Sequence, residues 1–145
     1  MKLLAAYLFL LLAAWVPAAE AAPPAITVTD AWVRAIPGSG VAAAYFTVRN
    51  TGTQPATIVG IRSAVAASAM IHETTMAGTQ STMRPHEQLA LAPGQAVHLS
   101  PGGMHVMLMD LRQPLNPGDT VALLLLLDGG TSVTVSARVR PLGEQ

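Results

Sequence analysis

The sequence predicts an all-β fold, a sandwich or barrel, and three observations carry that prediction. Short segments rich in Val, Ile, Thr and aromatic residues recur with period-two alternation, as in Ile26-Thr27-Val28-Thr29-Asp30-Ala31-Trp32-Val33-Arg34. Turn-forming clusters punctuate them: Pro37-Gly38-Ser39-Gly40, Asn50-Thr51-Gly52-Thr53, Asn116-Pro117-Gly118-Asp119 and Asp128-Gly129-Gly130. No long stretch keeps a helical period, and there is no internal repeat or low-complexity tract, so a single β domain is expected.

The elements follow in order. Residues 1–21 read as an export signal. Lys2 is a short positive n-region, Leu3 to Val16 an apolar h-region closed by Pro17, and Ala19-Glu20-Ala21 a small-x-small cleavage site. That apolar core is short for a membrane span. No cysteine follows it, which argues against a lipid anchor. Residues 22–25 are expected as a flexible leader, 26–140 as the β domain and 141–145 as a tail.

Ile26 to Arg34 is the first predicted strand and Val41 to Val48 the second; Pro55 to Arg62 is the third. Alanines in Ala66 to Thr74 permit a helix, but the alternation of Met70, His72 and Thr74 favours a strand. Residues 76–80 are expected to loop into a short strand around Thr82-Met83-Arg84. Leu89 and Leu91 lead to a turn at Ala92-Pro93-Gly94-Gln95, and a strand follows over Ala96 to Ser100. Met104 to Leu111 alternates after Pro101-Gly102-Gly103. Thr120 to Leu127 is a continuous apolar run that reads as a core strand, and Thr131 to Val139 alternates again.

Composition excludes several functions. Net charge is zero and only 11% of residues are charged, so neither nucleic acid nor an anionic membrane is an expected partner. The absence of cysteine removes disulfides, zinc ribbons, iron–sulfur clusters, attached c-type haem and blue-copper sites. No Gly-x-Ser-x-Gly, paired-carboxylate or His-Glu-x-x-His motif occurs, so no hydrolytic mechanism has candidates and a non-enzyme is expected.

The densest chemistry is Met104-His105-Val106-Met107-Leu108-Met109. On a strand His105, Met107 and Met109 share one face, and an imidazole beside a thioether can reach one soft metal ion. Upstream, His72 and Met83 complete the spacing His72–x10–Met83–x21–His105–x–Met107. Together with Pro101-Gly102-Gly103, Ala44-Tyr45 and Pro117-Gly118-Asp119, this spacing resembles the PCuAC family of periplasmic copper chaperones over roughly Ile26 to Val139. The resemblance implies a cupredoxin-like Greek-key β-barrel that binds Cu(I) through His72, Met83, His105 and Met107. It also implies a periplasmic location and delivery towards the binuclear copper centre of cytochrome c oxidase. The implied partner is the copper-bearing oxidase subunit or a thiol-bearing copper assembly protein. Two thioethers and two imidazoles are a chemically sensible Cu(I) set, neutral and weaker than thiolate, as a carrier requires.

Other residues carry lower expectations. Met70 and Met109 read as packing neighbours, Met76 as a loop residue, and His86 and His98 as solvated. Ser81 stands where relatives carry a further methionine. Glu73 and Asp110 are expected to point away from the site, and Arg84 to be solvated. The competing reading is an exported β-sandwich binding or adhesion domain with no metal role.

Overall fold

The computed structural model describes residues 25–144; the expected export signal and most of the leader lie outside the described residues. Ten strands follow in chain order: β1 (Ile26–Ala35), β2 (Ala42–Asn50), β3 (Ala56–Arg62), β4 (Ala66–Ala77) and β5 (Gln80–His86). The remaining five are β6 (Leu89–Leu91), β7 (Ala96–Leu99), β8 (Met104–Leu111), β9 (Thr120–Leu127) and β10 (Ser132–Arg140). Among the described residues no helix occurs. Ala66 to Thr74, ambiguous by composition, is strand because it pairs with β8 along almost its whole length.

Strands β4-β8-β2-β1-β10-β9-β3 form one hydrogen-bonded path. β3 pairs back onto β4 at Ile61 and Ala69, closing seven strands into a barrel. β5 extends the β4 edge, β6 pairs with β3, and β7 pairs with β2 beyond the end of β8. Closure removes most of the edge that an open sheet would leave unpaired. Inside, Val33, Val48, Ile58, Leu91, Val106, Leu108, Val121, Leu123 and Leu125 are essentially inaccessible to solvent. Burial of each such side chain is worth about 1.5–3 kcal/mol, and a cysteine-free domain depends on it.

Two strands depart from simple alternation. In β1 the register with β2 shifts between Thr29 and Trp32, and Asp30 takes a left-handed φ of 56°. This bulge reverses the parity of the strand. Ile26 and Val28 face the core before it; after it Val33 and Ala35 do, and Trp32 and Arg34 turn to the outer surface. In β9 the apolar run is a core strand, as expected, but through one face only. Val121, Leu123, Leu125 and Leu127 are buried, whereas Ala122 is exposed and Leu124 and Leu126 are half-buried. A barrel wall has one solvent side, so only alternate leucines reach the core.

The path from β7 to β8 positions the functional face. Both strands run along the same side of β2, with Leu99 opposite Phe46 and Val106 opposite Ala44. Residues 100–105 therefore face Tyr45 alone, and Pro101-Gly102-Gly103 must loop out of the sheet. Gly102 permits this with a φ of 82°.

Candidate metal centre

The β4–β8 ladder places His72 directly opposite His105 and Met70 opposite Met107. Opposed residues of an antiparallel pair share a face. The two imidazoles meet edge-on, with ring centroids 6.0 Å apart and an interplanar angle of 89°. On the other side of β4, Met83 of β5 lies opposite Thr74, so its side chain joins the same face, diagonal to His72. On β2, Ala43 lies opposite Met107, and the Tyr45 ring centroid is 6.3 Å from that of His105. His72, Met83, His105 and Met107 thus share the outer face of the barrel, while Ile71, Val106 and Leu108 project from the same strands into the core. Met83, His105 and Met107 line one cleft of about 240 Å³, whose walls also include Arg34, Tyr45, Thr74 and Gly102. His72 adjoins that cleft through His105.

Hydrogen bonding defines the state of the imidazoles. His105 is 5% exposed, and its Nδ1 lies 3.1 Å from the Gly103 carbonyl oxygen. A carbonyl only accepts, so Nδ1 carries the proton and Nε2 presents its lone pair. The same carbonyl accepts the Thr74 backbone N–H at 3.1 Å, tying loop, β4 and His105 together. His72 Nδ1 is buried and has no hydrogen-bond partner. Burial, and secondarily the neighbouring His105, lower the His72 pKa below its ordinary 6.5, so the ring is neutral at pH 7. An orphaned buried nitrogen, on a face that also carries a second imidazole and two thioethers, fits a soft metal ion. Among the described residues no group of three or more His, Cys, Asp or Glu side chains is placed to hold a metal.

The remaining candidates sort differently from their sequence expectation. Met76 is not in a loop; β4 and β5 extend to a tight hairpin at Ala77 and Gln80, so Met76 lies on the His72 face, opposite Ser81 and 64% exposed. Met70 is exposed beside Met107, Met109 lies opposite Ser68, and Met104 packs against the core. His86 and His98 are not merely solvated. His86 Nε2 pairs with Glu73 Oε2 at 2.8 Å, on the face of the β4–β5 ribbon away from His72. His98 Nδ1 bonds Thr47 Oγ1 at 2.9 Å. An aromatic shelf flanks the site: Trp32 and Tyr45 have centroids 4.5 Å apart. Tyr45 was legible as part of a motif, but Trp32 reaches this face only through the bulge at Asp30.

Known proteins resemble this chain over most of its length. The family model described as "Putative lipoprotein LpqE-like" matches residues 26–139. A Leifsonia xyli subsp. xyli protein named "Putative lipoprotein Lxx21020" is 37% identical over 116 residues, 79% of this chain and 69% of that protein. The copper-bound PCuAC domain from PmoF2 superposes with a TM-score of 0.66 at 26% identity, covering 83% of this chain and 97% of that domain. The solution structure of CuI-DR1885 from Deinococcus radiodurans gives a TM-score of 0.59 at 34% identity over 87% of this chain and 84% of that one. These PCuAC neighbours share the cupredoxin-like barrel described above. With a family model spanning the entire barrel, from β1 almost to the end of β10, the chain belongs to the LpqE-like family.

Proposed function

We propose that this protein is a periplasmic metallochaperone that holds one Cu(I) through His72, Met83, His105 and Met107. The observation that carries the reading is the pairing of His72 with His105: two facing imidazoles, one that spends its Nδ1 on the Gly103 carbonyl and one with an unpartnered buried Nδ1. Relatives in their copper-bound and Cu(I) forms support copper as the cargo. The cargo donors are all uncharged, so nothing but coordination retains the ion, and thioethers release Cu(I) more readily than thiolates do. That balance suits carriage rather than catalysis, and the protein acts as a carrier, not an enzyme. Residues 26–140 form the copper-binding unit, exported by a signal over residues 1–21 that is removed on export. The lipoprotein names of its relatives support export; this chain has no cysteine on which a lipid could be placed. Copper passes towards the binuclear centre of cytochrome c oxidase, either directly or through a thiol-bearing assembly factor.

An anaerobic Cu(I) competition titration of residues 22–145 tests the site. One tight Cu(I) per chain is expected, with much weaker Zn(II) binding. The His105→Ala/Met107→Ala variant should lose on the order of a hundredfold in affinity, at least the upper end of what removing a supporting partner alone costs. Parental affinity in that variant would rule out the proposed ligands, and metal-free behaviour of the parent would favour the adhesion-domain reading.

A further inference from the structure

We propose that the outer face of β1 and β10 beside the copper cleft is a docking surface for an acidic protein, the copper acceptor, recognised by Arg34, Arg138 and Arg140. This rests on the metallochaperone reading for the identity of the partner, though not for the existence of the surface. The parallel pairing of β1 with β10 sets Trp32 beside Arg138 and Arg34 beside Arg140. Because the bulge at Asp30 turns Trp32 and Arg34 outward, both of these pairs stand on the side that carries Tyr45 and His105. The Arg140 guanidinium lies 4.7 Å from the Trp32 ring centroid. The Arg34 guanidinium lies 5.4 Å from Trp32 and 5.7 Å from Tyr45. Both rings are more than nine-tenths buried, so they form a fixed shelf on which the guanidinium planes are held.

Among the described residues these cations have no anionic partner. The carboxylate contact to a basic side chain among the described residues is that of Glu73 with His86, on the β4–β5 ribbon, and no carboxylate reaches Arg34, Arg138 or Arg140. Glu144 lines a groove with Arg138 and Arg140 without pairing to either. In a chain of zero net charge, three of eight basic residues thus gather unneutralised on two adjacent strands. Arg34 also lines the same cleft as Met83, His105 and Met107, so a group entering that cleft passes a guanidinium. Preorganised, unpaired guanidiniums bind carboxylates bidentately and accelerate encounter with a surface of opposite charge. The partner that fits is a protein whose copper-receiving thiols are ringed by Asp or Glu.

Two synthetic acceptor peptides test this, sharing one two-cysteine core and flanked either by glutamates or by lysines. On the copper-free protein, the Glu peptide should shift the Trp32 indole N–H and the Arg34 and Arg140 Nε–H resonances; the Lys peptide should not. From the Cu(I)-loaded protein, transfer to the Glu peptide should be faster by about tenfold at low salt, with the gap closing at about 0.5 M NaCl. Arg138→Glu changes an exposed residue that no aromatic ring holds, so it should close the gap with Cu(I) affinity and melting temperature unchanged. Equal transfer rates to both peptides, shifts confined to other arginines, or an equal response to polyphosphate would each overturn the proposal. Failure to bind Cu(I) would overturn the metal reading while leaving the copper-free arm to decide on the surface.

Discussion

His72 and His105 face each other across the β4–β8 ladder with their rings nearly perpendicular and 6.0 Å apart between centroids. This contact ties the stability of the site to pH. The His72 pKa is lowered by burial and by His105, so the folded state favours the neutral ring more than the unfolded chain does. Between the lowered pKa and 6.5 the unfolded chain binds more protons, so stability rises with pH through that window. The contribution is complete above pH 6.5 and is lost as pH falls through the folded value. Denaturant titrations of the copper-free protein at pH 7.5 and 5 should show weaker folding at the lower pH, and His72→Gln should flatten the difference. An unchanged slope in that variant would assign the effect to another group. Cu(I) affinity should fall over the same range, because bound imidazole must be deprotonated.

Gly102 and Gly103 separate conformation from space in the loop that orients His105. Gly102 has a left-handed φ of 82° with open space at its Cβ position, whereas Gly103 has neither a left-handed φ nor a contact closer than 3.7 Å. Gly102→Ala should therefore cost about 1–2 kcal/mol in unfolding free energy and weaken Cu(I) binding by displacing the Gly103 carbonyl. Gly103→Ala should be close to neutral in both measurements.

Asn50 is fully buried and joins three segments. Its Nδ2 donates to the carbonyls of Gln54 and Leu91, and its Oδ1 accepts the Gly52 N–H. Asn50→Leu leaves these buried groups without partners, so a loss of about 3 kcal/mol or more is expected from the urea midpoint. Cu(I) affinity of the fraction that remains folded should be unaffected, since β2 bears Asn50 at the end remote from Ala43 and Tyr45.

Oxidation should act first at the exposed thioethers. Met76 and Met83 are 64% and 48% exposed, against a half-buried Met107. Mild peroxide on the copper-free protein should convert Met76 and Met83 before Met107, as peptide mass spectrometry would show. Sulfoxide at Met83 hardens a ligand, so Cu(I) affinity should drop in step with it, whereas Met76→Leu should leave that loss intact. Unchanged affinity after confirmed oxidation of Met83 would remove it from the ligand set.

Much of this architecture was legible along the chain because strands and turns are local events. Alternation located β1, β2, β8 and β10, and Pro-Gly and Asn-Gly-type clusters located their ends within a residue or two. β4 and β5 ran longer than expected because their cross-strand pairing carries them to a tight hairpin at Gly78, with a φ of 63°. Pairing partners supply hydrogen bonds that no local pattern records.

Sequence alone determined that the chain is all-β, that His105 and Met107 share a strand face, and that no thiol chemistry is available. The tertiary structure alone decided which strands meet: β8 beside β4 sets His72 against His105, although thirty-two residues of chain lie between them. It also decided which way Trp32 and Arg34 point, since one left-handed residue, Asp30, inverts every face after it. A strand's period is a property of its own backbone, whereas register and bulges are settled by the neighbour it pairs with.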